Sequence, residues 1–500
     1  MSMTHEADVL KSENLDAVFA DLKRAIVDAA RNGTPVHEVE KEAWKALLCI
    51  GFQSLEMFFR LVGPGDRGET IELPDGRTCQ RLPERHTRRY ISIFGEFAVE
   101  RVVYGSREGQ AIEFVPLDNR LQLPSSVFSY VLQDWDQSFC VEEAFGVANT
   151  SLGRILGLKQ SVDSLEHMNV EMARDTEAYR LNRPEPVPAT EGEILVASAD
   201  GKGIVMRRAP EEPKPAAHPS KGEKTSQKKM GVVGAVYTVD PYVRTPEQVV
   251  AALFRDEQTS KPPPRPRPQN KRVWASLEQG GNVSGQRAVF SWMLWEVALR
   301  DLDREKLLVC MHDGQESLWE GRAKYLRHDN SVDILDLLHV TPRLWKAAHV
   351  FHAEGSDEAE QFVRERLLRV LQGKAEGVIR GLREMATKRD IKGSKKTSLN
   401  KVCAYLENNL ERMRYDEYLA KGLPIATGVI EGACRHLVKD RMERAGMHWT
   451  VAGAQAMLDV RSTHVNGDWD EYQQYRIDRE RDELYPFRQM VSGAQWSLAA

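Results

Sequence analysis

"ILVASADG" (residues 194–201) and "LLVCMHDG" (residues 307–314) are built alike: a run of apolar and small side chains that ends in Asp-Gly. An unbroken run of this kind suits a strand buried on both faces. An Asp at the carboxyl end of such a strand puts its charge at the rim of a sheet, where ligands bind in mixed α/β sheets. Two neighbouring strands ending this way set two carboxylates, Asp200 and Asp313, side by side. Like charges at that distance repel unless a cation lies between them. Mg²⁺ or Mn²⁺, hard ions that prefer oxygen ligands, suit the position. Each Asp-Gly taken alone also reads as a turn, so the wider order of elements has to decide.

Moving outward, "GVVGAVYTV" and "KRVWASL" predict two more strands, and "AVFSWMLWEVAL" an amphipathic helix. After the second Asp-Gly run come a helix with Leu318, Trp319 and Tyr325, and a strand, "SVDILDLLHV". The order is three strands, helix, strand, helix, strand, helix. "APEEPKPAAHPSKGEKTSQ" and "TSKPPPRPRP" are expected as exposed loops between strands. A largely helical stretch over residues 357–419 delays a third acidic residue, Glu431, in "IATGVIEGACRHLVKDRM". Glu431 sits among Ile425, Val429, Ile430 and Ala433, where a buried helix would carry another apolar side chain. An ionised carboxylate there is costly without a cationic partner. A plain i,i+4 pair with Arg435 would contribute only a few tenths of a kcal/mol. Arg435 and Lys439 are expected on the same side of the helix, within reach of DNA phosphates.

An Asp on the first strand, an Asp on the fourth and a Glu on a later helix form the layout of the ribonuclease-H-like fold of metal-dependent polynucleotidyl transferases. Two cations about 4 Å apart activate an attacking oxygen and stabilise the leaving one. In that layout one ion is shared by Asp200 and Asp313, and Glu431 helps to hold the other. Asp336, with His339 in D-x-x-H, is the rival second carboxylate. It has strand residues on both sides and no Gly after it, and reads as part of a supporting network. His312, His339, His349 and His352 read as structural.

The 500 residues allow two to four domains, and 41% hydrophobic with 29% charged residues fits a globular chain. No apolar run is long enough to span a bilayer. The start, "MSMTHEADVLKSENLD", is too polar for a secretory signal. Cys49, Cys79, Cys140, Cys310, Cys403 and Cys434 contain no C-x-x-C pair, which excludes a zinc knuckle and predicts free thiols in a reducing cytoplasm. The net charge of −5 does not itself advertise nucleic acid. Basic clusters in "KGEKTSQKKM", "KPPPRPRPQNKR" and "REMATKRDIKGSKK" point that way more than the sum does.

In the first half, Leu15, Phe19, Leu22 and Ile26 keep helical spacing, as do Trp44, Leu47, Leu48, Leu55 and Phe58. "GPGDRG" ends this region, and "YISIFGEFAVERVVYG" predicts a β-hairpin or short sheet with a turn at Gly95. Residues 125–179 return to helical patterning. Val141, Ala144, Phe145 and Ala148 form one short face, Leu152, Ile155 and Leu156 a second. Gly157 breaks, and Ser161 caps a third helix with Val162 and Leu165. Short helices about a Gly turn suit a helix-turn-helix, and plain helical packing is the alternative. "NRPEPVPATEGE" is a proline-rich boundary.

"ASADGKGI", "CMHDGQESLW", "LDLLHVTPRLWKAAHVF" and "GLPIATGVIEGACRHLVKDRM" together resemble the catalytic core of DDE transposases from bacterial insertion sequences, the ISKra-type group in particular. "RAGMHWTVAGAQAMLDVRSTHVNGDWDEY" is similar to that group's C-terminal signature, and "ISIFGEFAVERVVYG" and "FVPLDNRLQLP" to its N-terminal half. The resemblance covers residues 90–475. It implies an α+β multidomain chain: an N-terminal helical and β-hairpin region (1–115), a helical region with a candidate helix-turn-helix (116–185), a ribonuclease-H-like core (186–356), a helical insertion (357–420), completion of the core by the Glu helix (421–470) and a C-terminal tail (471–500). It also implies a bacterial, cytoplasmic, nucleoid-associated enzyme that cleaves element ends and joins 3′ hydroxyls to target DNA. The three acids carry over onto Asp200, Asp313 and Glu431, with two Mg²⁺ or Mn²⁺ as cofactors. The implied partners are double-stranded DNA and further copies of the chain, as a homodimer or higher oligomer, with no membrane. A nuclease of the same fold that cuts without joining, or an inactive transposase-derived DNA-binding protein, are the alternatives.

Overall fold

A computed structural model describes residues 13–106, 112–184, 186, 190–208, 228–256, 264–277, 284–426, 428–444 and 446–492. The loop expected at 209–227 and the first part of that at 259–268 lie outside these residues, as do the polar start and the last residues of the tail. The described chain is a mixed α+β protein that divides into two compact units, Met1–Met172 with Trp469–Ala500, and Ala173–Asp468.

The first unit opens on helices α1 (Glu13–Asn32) and α2 (Val36–Val62). Their helical periodicity is as predicted, yet Phe19, Ile26, Trp44 and Leu47 are exposed. Strands β1 (Thr70–Glu72), β2 (Thr78–Arg81) and β5 (Tyr104–Gly105) form a small sheet. The predicted hairpin is β3 (His86–Ser92) with β4 (Gly95–Arg101), antiparallel with Ser92 opposite Gly95. It stacks on α2 through Phe52 and Phe97, whose ring centroids lie 4.6 Å apart.

Four helices come next: α3 (Pro116–Leu121), α4 (Tyr130–Cys140), α5 (Phe145–Leu156) and α6 (Val162–Ala173). Of the two short faces read from the sequence, Phe145, Ala148, Leu152, Ile155 and Leu156 belong to the single helix α5, Ala144 is its N-cap and Val141 ends α4. Helix α5 ends where Gly157 takes φ +71°, a left-handed cap that favours glycine. The Ser161 hydroxyl accepts from the Ser164 N–H at 3.0 Å, the cap expected for the next helix.

In the second unit, α7 (Thr176–Asn182) precedes a five-stranded sheet. Its strands are β6 (Ile194–Val205), β7 (Lys228–Val239), β8 (Gln269–Leu277), β9 (Leu307–His312) and β10 (Ser331–Leu335). The order across the sheet is β8-β7-β6-β9-β10: third, second, first, fourth, fifth along the chain. The first three pair antiparallel, and β9 lies parallel to both β6 and β10. Helix α8 (Pro246–Phe254) falls between β7 and β8, α9 (Gly285–Arg300) before β9, and α10 (Glu316–Tyr325) after it.

Alternation along the central strands fills two cores, because successive side chains point to opposite faces. Leu195, Ala197, Leu308 and Cys310 pack with Val289, Phe290 and Met293 of α9. That helix comes so close that a Cβ on Gly234 would lie 2.6 Å from Val289. Ile194, Val196, Val309, Met311 and Ile334 face α11 (Leu337–Phe351) and the helical block behind it. This block holds α12 (Asp357–Leu371), α13 (Ala375–Lys388), α14 (Gly393–Glu407) and α15 (Tyr415–Ala420).

Two expectations need correction. The strand through Asp336 stops at Leu335, and Asp336 instead caps α11, its carboxylate accepting from the Leu338 N–H at 2.9 Å. A short acceptor at the first free N–H groups of a helix outweighs the strand propensity of the neighbouring residues. The stretch read as a polar tail forms helix α19 (Trp469–Leu484), built into the first unit. Trp469 Nε1 donates to Asp134 at 2.6 Å, and the Tyr472 hydroxyl to the Met172 carbonyl. Between these stretches run α16 (Gly428–Ala433), α17 (Asp440–Met442) and α18 (Val451–Val465).

Candidate active site

Strand register explains how two of the expected acids meet. Ala199 of β6 pairs with His312 of β9, the last pair between those parallel strands. Asp200 and Asp313 are the next residues along the two chains, just past that last pair. Asp200 does not end its strand as expected. β6 continues to Val205 while still paired with β7, Asp200 lying opposite Val233. Thus one neighbour lets go at Asp200 and the other holds on, which opens the carboxylate to solvent on one side of a rigid strand.

Both carboxylates are held locally. The Gly201 N–H donates to Asp200 Oδ1 at 2.7 Å, and the Gln315 N–H to Asp313 Oδ1 at 2.8 Å. The second contact is the Asp-Gly turn that the sequence offered as a plain alternative; it orients the side chain and leaves Oδ2 for other partners. Burial pushes the Asp313 carboxyl above the usual range; the Gln315 N–H opposes this, and the nearby Asp200 charge adds to it.

His312 locks the floor of the site. It is 1% exposed, and its Nδ1 accepts from the Ala199 N–H at 3.0 Å, joining β6 to β9 directly beneath the two acids. Its ring packs edge-on against Trp319 with centroids 4.9 Å apart. Burial lowers its pKa to about 3, so it is neutral and structural.

Glu431 reaches the same end of the sheet by a long detour. The helical block returns to β10 where Tyr415 donates to the Leu335 carbonyl at 2.7 Å. The Leu337 N–H then bonds the Ile425 carbonyl at 3.0 Å, which launches α16 across the sheet. Glu431 is not buried, as its neighbours in sequence suggested; its side chain is 49% exposed. Ile430, Ala433, Cys434, Leu437 and Val438 take the inner face. From Cys434 to Lys439 the helix widens to π geometry, and Arg461 Nε takes the His436 carbonyl at 2.6 Å. This wide turn resets the facing of the helix. Glu431 pairs with His339 Nε2 at 3.5 Å, while Arg435 pairs with Asp440 at 3.6 Å. Arg435 remains 70% exposed, and Lys439 is exposed on the same segment.

Cys434 ties the third acid to the first. Its buried thiol donates to Asp200 Oδ2 at 3.4 Å. Burial, with Asp200 and Glu431 adding, drives its pKa far up and keeps it protonated. Sequence reasoning missed Cys434, and it missed Arg343 and Tyr405, which flank Asp313, with the guanidinium 4.4 Å from the Tyr405 ring. His339 was read as structural, but it touches Glu431. One signal was available: His339 and Arg343 are four residues apart on α11, hence on one face.

Among the described residues no set of three or more His, Cys, Asp or Glu side chains is gathered as metal ligands. The donor chemistry at Asp200 and Asp313 suits a hard divalent cation, and a cation there would relieve the repulsion felt at Asp313. Mg²⁺ is commonly held by one or two carboxylates, its other positions being filled by water and phosphate oxygens. The residues present fit a two-carboxylate seat of that kind, with Glu431 beside it. No helix among the described residues is long and apolar enough to cross a membrane.

No family model matches the chain, and no curated protein matches it. Among solved structures, a Drosophila P element transposase strand transfer complex matches over 78% of this chain and 89% of that one, at 9% identity and a TM-score of 0.23. A likeness of that size carries no argument about fold or activity.

Proposed function

We propose that the chain is a DNA transposase of the DDE type, of the kind found in ISKra-type bacterial insertion sequences, with a ribonuclease-H-like core. The observation that carries the reading is that Asp200 and Asp313 directly follow Ala199 and His312, the last pair of two adjacent parallel strands, while Cys434, three residues after Glu431, contacts Asp200, and Glu431 contacts His339. The strand order third-second-first-fourth-fifth supports the core assignment, and α4 to α6 about the Gly157 turn support a helix-turn-helix.

In this reading Asp200 and Asp313 hold one divalent cation, and Glu431 helps to hold a second, each Mg²⁺ or Mn²⁺. Bound there, the cations supply Lewis-acid stabilisation of the attacking and leaving oxygens at phosphorus. The Gly201 and Gln315 N–H groups fix one oxygen of each Asp, and the Cys434 thiol steadies the other oxygen of Asp200. His339 holds Glu431 at the rim until DNA arrives. Arg435 and Lys439 contact backbone phosphates, which position a strand without reading its sequence. Two element ends have to be brought together, so a homodimer or larger assembly is part of the proposal.

The test incubates the protein and Mg²⁺ with linear element ends and a supercoiled plasmid. Cleaved and joined products are expected from the wild type. None is expected from Asp200→Asn, Asp313→Asn or Glu431→Gln, each of which should still bind ends. Full activity in any variant removes that residue from the site. Cleavage without joining makes the protein a nuclease of this fold. Binding without cleavage makes it an inactive relative.

A further inference from the structure

A cleft of about 320 Å³ lies beside the start of α16, walled by Tyr237 at the end of β7, by Tyr242 and by residues 265–268. Its size is at the small end for ligand pockets, about 300–1,000 Å³. Its walls are fixed. The Tyr242 N–H donates to the Gly422 carbonyl at 2.8 Å, and Gly422 has φ +69° with no room for a Cβ, which would lie 2.7 Å from Tyr242 N.

Three guanidinium groups, Arg244, Arg265 and Arg267, line this cleft, and among the described residues none of them forms an ion pair. Arg244 is half-buried, with one Nη donating to the Leu423 carbonyl at 3.4 Å and a buried Nε that makes no hydrogen bond. Arg265 reaches the Ala426 carbonyl at 3.4 Å, and its other donors meet no acceptor among the described residues. Burial, and then the like charge of Arg265, hold Arg244 below the ordinary arginine range. The lining contains one acid, Asp240, and its carboxylate accepts from Gln269 at 3.2 Å. Three cations against one carboxylate leave positive charge that two long carbonyl contacts and the Tyr242 ring balance only in part. An arginine donates up to five N–H groups in a fork that fits phosphate oxygens. Tyr237 is buried, so the apolar part of the wall comes from Tyr242, whose ring lies 5.2 Å from the Arg244 guanidinium, and from Pro266 and Pro268.

We infer that this cleft binds a nucleotide unit, its phosphate on Arg244, Arg265 and Arg267 and its ring system against the wall formed by Tyr242, Pro266 and Pro268. Tyr237 pairs with Val196, four residues before Asp200, so the cleft stands about 13 Å along the sheet from the acidic pair. Gly428 and Val429 line it one turn before Glu431. The unit belongs either to a DNA strand passing the acids or to a free nucleotide. Only the first source rests on the proposed transposase reading.

The experiment uses the full chain and two probes: a fluorescein-labelled 12-nucleotide oligo-dT, read by anisotropy across a salt series, and N-methylanthraniloyl-dAMP, read by fluorescence. The variants are Arg244→Gln and the exposed Arg267→Gln, each checked for folding by its melting curve. Whichever probe occupies the cleft should bind each variant at least tenfold more weakly. For the oligonucleotide, the salt slope should also fall by about one. An effect on oligo-dT alone assigns the strand, and an effect on the nucleotide analogue assigns a free nucleotide. Unchanged affinity of both probes in Arg267→Gln overturns the inference even if Arg244→Gln fails to fold. Arginine-dependent oligo-dT binding by a wild-type chain that never cuts element ends overturns the transposase reading and leaves the cleft standing.

Discussion

His312 offers the sharpest test of how the acidic pair is supported. Its Nδ1 takes the buried Ala199 N–H, and its pKa is drawn down to about 3 from the ordinary 6.5, chiefly by burial. The folded chain therefore holds a neutral ring where the unfolded chain takes up a proton. Stability from this group is full above pH 6.5 and declines as the pH falls towards 3. At pH 4.5, two pH units below the unfolded value, the loss is on the order of 2–3 kcal/mol. Protonation also removes the acceptor that joins β6 to β9. His312→Phe keeps an aromatic ring against Trp319 and Phe290 but has neither acceptor nor proton site. It should cost about 1–3 kcal/mol at pH 7, because the Ala199 N–H is left buried without a partner. Below pH 6.5 the gap between wild type and variant should close, and near pH 5 the two should be about equally stable. Two compact units make a single melting midpoint ambiguous. The measurement is therefore hydrogen exchange of β6 and β9 amides by mass spectrometry, at matched pH for the two proteins. Other titrating groups are common to both and cancel in the comparison. A wild-type-minus-variant gap that stays constant from pH 7 to 4.5 would refute the neutral clamp.

Three further outcomes are expected. Arg435→Ala should weaken binding to duplex DNA and reduce its salt slope by about one; an unchanged slope in a salt titration leaves Arg435 as a helix ion pair with Asp440. Arg300→Met should destabilise the second unit by about 1–3 kcal/mol, because it removes the buried guanidinium 2.9 and 3.4 Å from Glu296 and Glu191 and leaves them only Arg183, Thr238 and Asn270 as partners. A loss below about 1 kcal/mol in urea denaturation would show that the network relaxes without it. Mn²⁺ affinity, read by electron paramagnetic resonance of the free ion, should fall as the pH drops through the raised Asp313 pKa, since a proton competes for the carboxylate. Asp313→Asn should flatten that dependence, and a slope equally steep in the variant places the competing proton elsewhere.

Much of this architecture is written locally. The apolar runs at 194–199 and 307–312 become central strands because both of their faces must be covered. The hairpin at Gly95, the stop at Gly157 and the Ser161 cap each depend on a few adjacent residues, so one short window of sequence suffices to predict them. The helical block over 357–419 is legible for the same reason: its periodicity repeats every turn.

What the sequence left open depends on groups far apart in the chain. Whether Asp200 ends a strand or stands within it turns on β7 continuing to pair after β9 has stopped, and no residue near 200 encodes that. The facing of Glu431 depends on a π turn accompanied by an arginine 25 residues later. Arg441 and Arg461 would be placed outside by composition alone, yet both are buried, because the surrounding fold supplies partners for charge that water otherwise solvates. Local periodicity thus fixed the elements and nominated the three acids. The contacts of Cys434 with Asp200 and of Glu431 with His339 were decided by packing across 234 and 92 residues of chain, where the free energy belongs to the whole and to no single segment.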